Sequence, residues 1–143
     1  MAVVEKSVLI GRTPAQMFDL VDQVEEYPKF LPWCGGSILH ERTDNLTVAT
    51  LQINFQGIKA QFSTTNGKEK PLWMSIKLRD GPFRMMDGGW RFTALGETAC
   101  KVEFRLQYEF SSKLLEKALG PLFNRIVNTF VESFVKRADQ VYG

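Results

Sequence analysis

From Cys100 to Phe110 the chain alternates without a break. Cys100, Val102, Phe104, Leu106, Tyr108 and Phe110 fall on one side, and Lys101, Glu103, Arg105, Gln107 and Glu109 on the other. A period of two makes a strand with one apolar face and one charged face. Such a strand belongs to an antiparallel sheet that is wet on one side and must be covered on the other. The segment Ser112–Tyr142 can supply that cover. Leu115, Leu119, Leu122, Phe123, Ile126, Val127, Phe130, Phe134, Ala138 and Val141 recur at helical spacing, with Lys113, Lys117, Asn124, Asn128, Glu132, Lys136 and Asp139 mostly opposite. A helix of this length reaches about 45 Å at ~1.5 Å per residue. Gly120-Pro121 is expected to kink it, because proline lacks the donor and crowds the preceding turn.

The rest of the chain reads as partners for that strand. Val3–Ile10 is aliphatic and β-branched, a strand. Thr13-Pro14-Ala15-Gln16 starts a helix: Thr13 caps, Pro14 fits the first position, and Gln16 completes a capping box. Met17, Phe18, Val21 and Val24 continue it, and Pro28 should end it near Tyr27. Leu51, Ile53 and Phe55 alternate with polar residues, and Ile58, Ala60 and Phe62 do so again after a turn at Gly57. Asn66-Gly67 is expected to turn the chain once more. Met74, Ile76 and Leu78 form the next apolar face, Asp80-Gly81-Pro82 ends it, and Trp90, Phe92 and Ala94 form another. The order is strand, one or two short helices, about six strands, then one long helix. This predicts an α+β fold in one domain spanning residues 1–143: a strongly curved antiparallel sheet wrapped around the C-terminal helix.

Several functions lose support here. A net charge of +2 is too small to point to a nucleic acid, and no DNA partner is expected. No apolar run is long enough to span a bilayer. The N-terminal MAVVEKSVLIGRT reads as a first strand rather than a signal peptide. Cys34 and Cys100 are too few for a disulfide framework, so a reducing, cytoplasmic location is expected. His40 is the single histidine, beside Glu41 and Arg42, and no second ligand stands near it for a metal. Cys34 with His40 would make a nucleophile–base pair, but nothing local supports one, and both read as structural residues. There is no phosphate loop, dinucleotide fingerprint or nucleophile elbow. No catalytic residue, metal or cofactor is expected.

The aromatic residues point elsewhere. They make up 12% of the chain, and 11 of them are Phe. Large rigid rings can line a cavity as well as fill a core. The candidate lining begins with Trp33, Phe55, Phe62, Ile76, Leu78 and Phe83. Met85, Trp90, Phe104, Phe123, Val127 and Phe130 complete it. In YPKFLPWCGGSIL, Pro28 and Pro32 stiffen the backbone around Phe30-Leu31, and Gly35-Gly36 turns the chain into a strand. Asp80-Gly81-Pro82-Phe83 is a second rigid corner. The two corners are expected to flank a cavity entrance, with Trp33 and Phe83 at its mouth.

The motifs carry a resemblance. YPKFLPWCGGS at Tyr27–Ser37, FQGIKAQFST at Phe55–Thr64, DGPFRMMDGGWRF at Asp80–Phe92 and FVKRA at Phe134–Ala138 resemble the coenzyme-Q-binding and ribosome-association-toxin family. That family lies within the START-like superfamily of polyketide cyclases/dehydrases and lipid-transport proteins, and the resemblance covers essentially the whole chain. It implies the helix-grip fold, START-like and Bet v 1-like, with an apolar cavity between sheet and C-terminal helix. It implies a polyprenyl quinone (ubiquinone) as bound ligand, carried or chaperoned in support of respiratory electron transport, with transient contact at the inner-membrane surface. The alternative it implies is a toxin that binds the large ribosomal subunit and blocks subunit joining. A third is an aromatase/cyclase-like enzyme that holds a folded polyketide. The residues favour the first. The cations, such as Lys29, Lys59, Lys68, Lys70, Lys77, Arg79, Arg84, Arg91 and Arg105, are scattered and interleaved with acids, and no arginine-rich or aromatic RNA-binding motif is present.

Overall fold

Seven strands form one antiparallel sheet in the order β1-β7-β6-β5-β4-β3-β2. They are β1 (Ala2–Ile10), β2 (Cys34–Arg42), β3 (Leu46–Phe55), β4 (Ile58–Glu69), β5 (Trp73–Asp80), β6 (Phe83–Ala94) and β7 (Cys100–Phe110), with helices α1 (Pro14–Asp22) and α2 (Lys113–Tyr142). The computed structural model describes residues 1–143. The alternation of β7 is reproduced: Cys100, Val102, Phe104, Leu106, Tyr108 and Phe110 are all buried. Gly88 and Gly89 let β6 pass closely between its neighbours. A Cβ on Gly88 would run into the Arg105 carbonyl, and one on Gly89 into that of Met74. Glycine in a central strand marks such a close approach.

α1 starts as its sequence dictates. The Gln16 amide donates to Thr13 Oγ1 at 3.1 Å, and the Thr13 amide donates to Gln16 Oε1 at 2.9 Å. It ends earlier than expected, at Asp22, because Gln23 leaves helical geometry (φ −79°, ψ 66°). A 3-10 turn, Val24–Lys29, then carries Val24 and Tyr27 into the core.

One other expectation needs correcting. Asn66-Gly67 does not turn the chain. β4 runs on to Glu69, pairing Asn66 with Thr47 and Gly67 with Leu46, and a Ser75 hydroxyl accepts from the Gly67 amide at 3.0 Å. Tertiary pairing overrides the local turn preference. α2 runs as one helix through Gly120-Pro121, with Pro121 inside it.

Burial nevertheless differs along α2. Its buried residues are Phe123, Ile126, Val127, Val131, Phe134 and Ala138, so none precedes Phe123. The far end is tied down. Tyr142 donates to the Gln16 carbonyl at 2.9 Å, and Arg12 lies 3.3 Å from Asp139. Pro121 also removes one rung of the hydrogen-bond ladder. Amides of Leu114–Leu119 should therefore exchange faster than those of Ile126–Val135, as hydrogen exchange read by mass spectrometry would show. Uniform protection would contradict a loosely held first segment.

Candidate functional site

Between the dry face of the sheet and α2 lies a cavity of about 60 Å³, walled by 19 residues of which 17 are hydrophobic. Every layer contributes. Val21, Val24 and Tyr27 come from α1 and the 3-10 turn, and Trp33 from the proline corner. The strands add Ala49, Leu51, Phe62, Met74, Ile76, Met86, Trp90, Phe104 and Leu106, and α2 adds Phe123, Ile126, Val127 and Phe130. Thr64 and Asn66 are the two polar members. Phe130 is the hub of the aromatic wall, with ring centroids 5.6 Å from Phe104, 5.7 Å from Trp90 and 6.2 Å from Trp33.

Eight of the twelve residues singled out in the sequence lie here: Trp33, Phe62, Ile76, Trp90, Phe104, Phe123, Val127 and Phe130. Four do not. Met85 is displaced by a bulge, since the register shifts between Phe83 and Met85, and it is Met86 that faces in. Leu78 packs at the margin of the core. Phe55 lines a separate outer groove of about 320 Å³ with Pro32, Trp33, Leu122 and Ile126. Phe83 lines a small hollow of about 10 Å³ with Phe62, Leu122 and Phe123, stacked 4.8 Å from Phe110. The entrance expected at Trp33 and Phe83 also needs revision. Both are 6% exposed, so neither stands at an open mouth. Trp33 is instead a partition between the outer groove and the cavity.

The residues missed in the sequence are instructive. Thr64 and Asn66 continue the inward face of β4 begun by Ala60 and Phe62. Reading Asn66-Gly67 as a turn cut that alternation short. Asn66 is 8% exposed, and its Oδ1 has no hydrogen-bond partner. An unpaired buried carbonyl of this kind costs roughly 1–3 kcal/mol.

Beyond Asn66 on the same face is Lys68, 5% exposed at its side chain and 2.9 Å from Asp22. Asp22 also accepts from the Thr47 hydroxyl at 2.7 Å. Arg42 lies 3.4 Å from this carboxylate and grips Glu25 through two bonds of 2.7 and 2.9 Å. That guanidinium holds the Glu25 carboxyl below its ordinary pKa. A depressed carboxylate adds stability above its unfolded pKa, which is lost as pH falls through the folded value. Wild type should therefore lose more stability than Glu25→Gln in urea melts between about pH 6 and about pH 2.

The cavity wall is poor in catalytic chemistry. Tyr27 is the only ionisable lining residue. Its hydroxyl donates to the Val21 carbonyl, and burial, with Asp22 nearby, pushes its pKa up. Cys34 and His40 do not pair. The thiol donates to the Gly36 carbonyl at 3.3 Å and its pKa is raised by burial. The His40 ring meets the Thr50 hydroxyl at 2.7 Å, and Thr50 meets Ser63 at 2.6 Å. No group of three or more His, Cys, Asp or Glu residues converges.

A long helix gripped by a curved antiparallel sheet over an apolar cavity defines the helix-grip, START-like class. The chain belongs to the family described as polyketide cyclase / dehydrase and lipid transport, which it matches over residues 10–135. It is 44% identical over 143 residues to the ribosome association toxin RatA of Vibrio cholerae, covering 100% of this chain and 99% of that protein. It is 26% identical over 142 residues to the mitochondrial coenzyme Q-binding protein COQ10 homolog B of Xenopus laevis, covering 96% of this chain and 58% of that one. The Zhui aromatase/cyclase of Streptomyces sp. R1128 shares the fold, with a TM-score of 0.84 at 12% identity over 99% of this chain and 96% of that one.

Proposed function

We propose that this chain binds a polyprenyl quinone, or a lipid of similar shape, between sheet and α2, as a carrier or chaperone without catalysis of its own. The observation that carries this reading is the cavity wall: apolar side chains from every layer, with polar groups at one end of β4. The relative named as coenzyme Q-binding supports it. Peripheral contact with a membrane surface belongs to the same reading, since an apolar cargo must be collected there. No helix is long and apolar enough to cross a membrane.

Size sets the mechanism. A cavity of about 60 Å³ is smaller than the ~150 Å³ apolar hole that admits a benzene. A quinone ring with a prenyl tail therefore requires an opened form. The partitions mark where an opening would join the spaces. Trp33 and Ile126 face both the cavity and the outer groove, Phe62 and Phe123 face both the cavity and the hollow, and Leu122 faces groove and hollow. Three of these five are on the α2 segment beside Pro121. Displacing Leu122 and Phe123, which directly follow Pro121, would by itself join the three spaces into one.

Trp33 and Trp90 line the cavity, so their fluorescence reports occupancy. Titration with a short-chain ubiquinone should quench it saturably. Ala49, 2% exposed and part of the wall, offers a block. Ala49→Leu should stay folded by circular dichroism and weaken binding by about tenfold or more. Undiminished binding would remove the ligand from this cavity.

A second reading is ribosome association, favoured by the name of the 44% identical relative. Of the nine cations singled out in the sequence, six make ion pairs: Lys29, Lys68, Lys70, Lys77, Arg84 and Arg105. Sedimentation with large ribosomal subunits at physiological salt, unaffected by Ala49→Leu, would favour this reading over the first.

A further inference from the structure

The inward face of β4 grades from apolar to polar: Ala60, Phe62, Thr64, Asn66, Lys68. Lys68 is engaged by Asp22, and its side chain is not part of the cavity wall. Asn66 is part of that wall, more than nine-tenths buried, with Oδ1 unpartnered. Its amide orientation follows from its neighbour. Nδ2 lies 3.9 Å from the Met74 sulfur, and a thioether accepts but cannot donate. The amide nitrogen therefore faces Met74, and the oxygen is left without a donor; it is covered in this closed form, so a ligand reaches it only when the cavity opens. An acceptor with no donor, in a wall whose other side chains are apolar save Thr64 and Tyr27, is complementary to a ligand that carries a hydroxyl.

We infer that Asn66 is the head-group anchor of the cavity and selects ligands bearing a hydroxyl donor, so that a quinol is held in preference to its quinone. This deepens the proposed function and rests on its reading that the cavity takes an apolar ligand. A quinone presents two carbonyl acceptors to an Oδ1 that is itself an acceptor, and the pair repels. The quinol presents O–H groups in the same positions on a ring of nearly the same size. Thr64, one step along the same face, adds a hydroxyl able to donate or accept. At ~3.4 Å per residue, Asn66 is about 14 Å along β4 from Phe62. The head thus sits at the Asn66 end, and the tail runs past Phe62 and Phe123 toward the hollow beside Phe83.

The test compares two matched pairs of probes on the intact protein, without oxygen, by tryptophan quenching. One pair is a short-chain ubiquinol and its ubiquinone. The other is a long-chain alkylphenol and its methyl ether. Wild type should bind the hydroxyl-bearing member of each pair about tenfold more tightly, the scale of one buried hydrogen bond. Asn66→Leu, which removes the orphan acceptor at similar volume, should erase the preference, weakening the hydroxyl-bearing member and relieving the repulsion of its partner. Equal affinities within both pairs for wild type would overturn the anchor while leaving quinone binding intact. A preference unchanged in Asn66→Leu would overturn it too. Alkylphenol binding that depends on Asn66, with neither quinone form bound, would uphold the anchor and overturn the quinone reading. Failure of all four probes to bind would overturn both.

Discussion

Asp22→Ala should lower the free energy of unfolding by about 3–5 kcal/mol, far beyond an ordinary surface aspartate. Asp22 ends α1 but serves β4 and β3. Its carboxylate lies 2.9 Å from Lys68 and accepts from Thr47 at 2.7 Å. Both partners are deep, with the Lys68 side chain 5% exposed and Thr47 fully buried. Removing the acid leaves an ammonium with little water and no counter-charge, which is the costly half of breaking a buried pair. Arg42 cannot substitute, since it carries the same sign and is committed to Glu25. The double variant Asp22→Ala with Lys68→Met should recover most of the loss, because it removes the stranded charge and leaves an apolar side chain of similar length. Urea melts of wild type, both single variants and the double variant decide this. A loss under about 1 kcal/mol for Asp22→Ala would mean that water reaches Lys68 after all.

The same residues show how far the sequence carried the fold. Strict alternation located β7 and its buried face, and the helical stripe located α2, because a large buried interface enforces both patterns, although the stripe is buried only between Phe123 and Ala138 and Val141 is 48% exposed. Thr13, Pro14 and Gln16 announced α1 because capping is local chemistry. Asn66-Gly67 misled because the pairing of Asn66 with Thr47 is long-range, and a dipeptide cannot report it. Met85 stood in for Met86 because a bulge shifts parity by one residue without leaving a mark in the hydrophobic pattern. At the cavity the rings were legible, since large aromatics on core-facing positions are few. The polar end was not. Lys68 looks like any surface lysine until Asp22, 46 positions away, is folded against it.

Phe104→Ala should cost about 3–5 kcal/mol and also create a measurable ligand response. The ring is 3% exposed, with its centroid 4.7 Å from Trp90 and 5.6 Å from Phe130. Its removal forfeits the transfer energy of a phenyl group and leaves a void. That void joins the cavity already present, because Phe104 is part of its wall. The loss should therefore fall toward the upper end of the range, since the cost grows by about 24 cal/mol per Å³ of cavity left open. The neighbouring Arg105→Ala should change stability by no more than about 0.5 kcal/mol. Its partner Glu5 is 3.2 Å away, but the two side chains are 54% and 69% exposed, so solvent screens the pair. Equal losses for the two variants would invert the faces of β7. The enlarged cavity then gives the ligand reading a second test that needs no motion of α2. A small aromatic such as benzene, too large for the wild-type space, should bind the variant and raise its stability by about 2.7 kcal/mol at a hundredfold excess over Kd. It should leave the wild-type melt unmoved. If benzene stabilised neither protein, the space behind Phe104 would have collapsed on substitution, and α2 would be shown to close on the sheet even without a ring to hold it off.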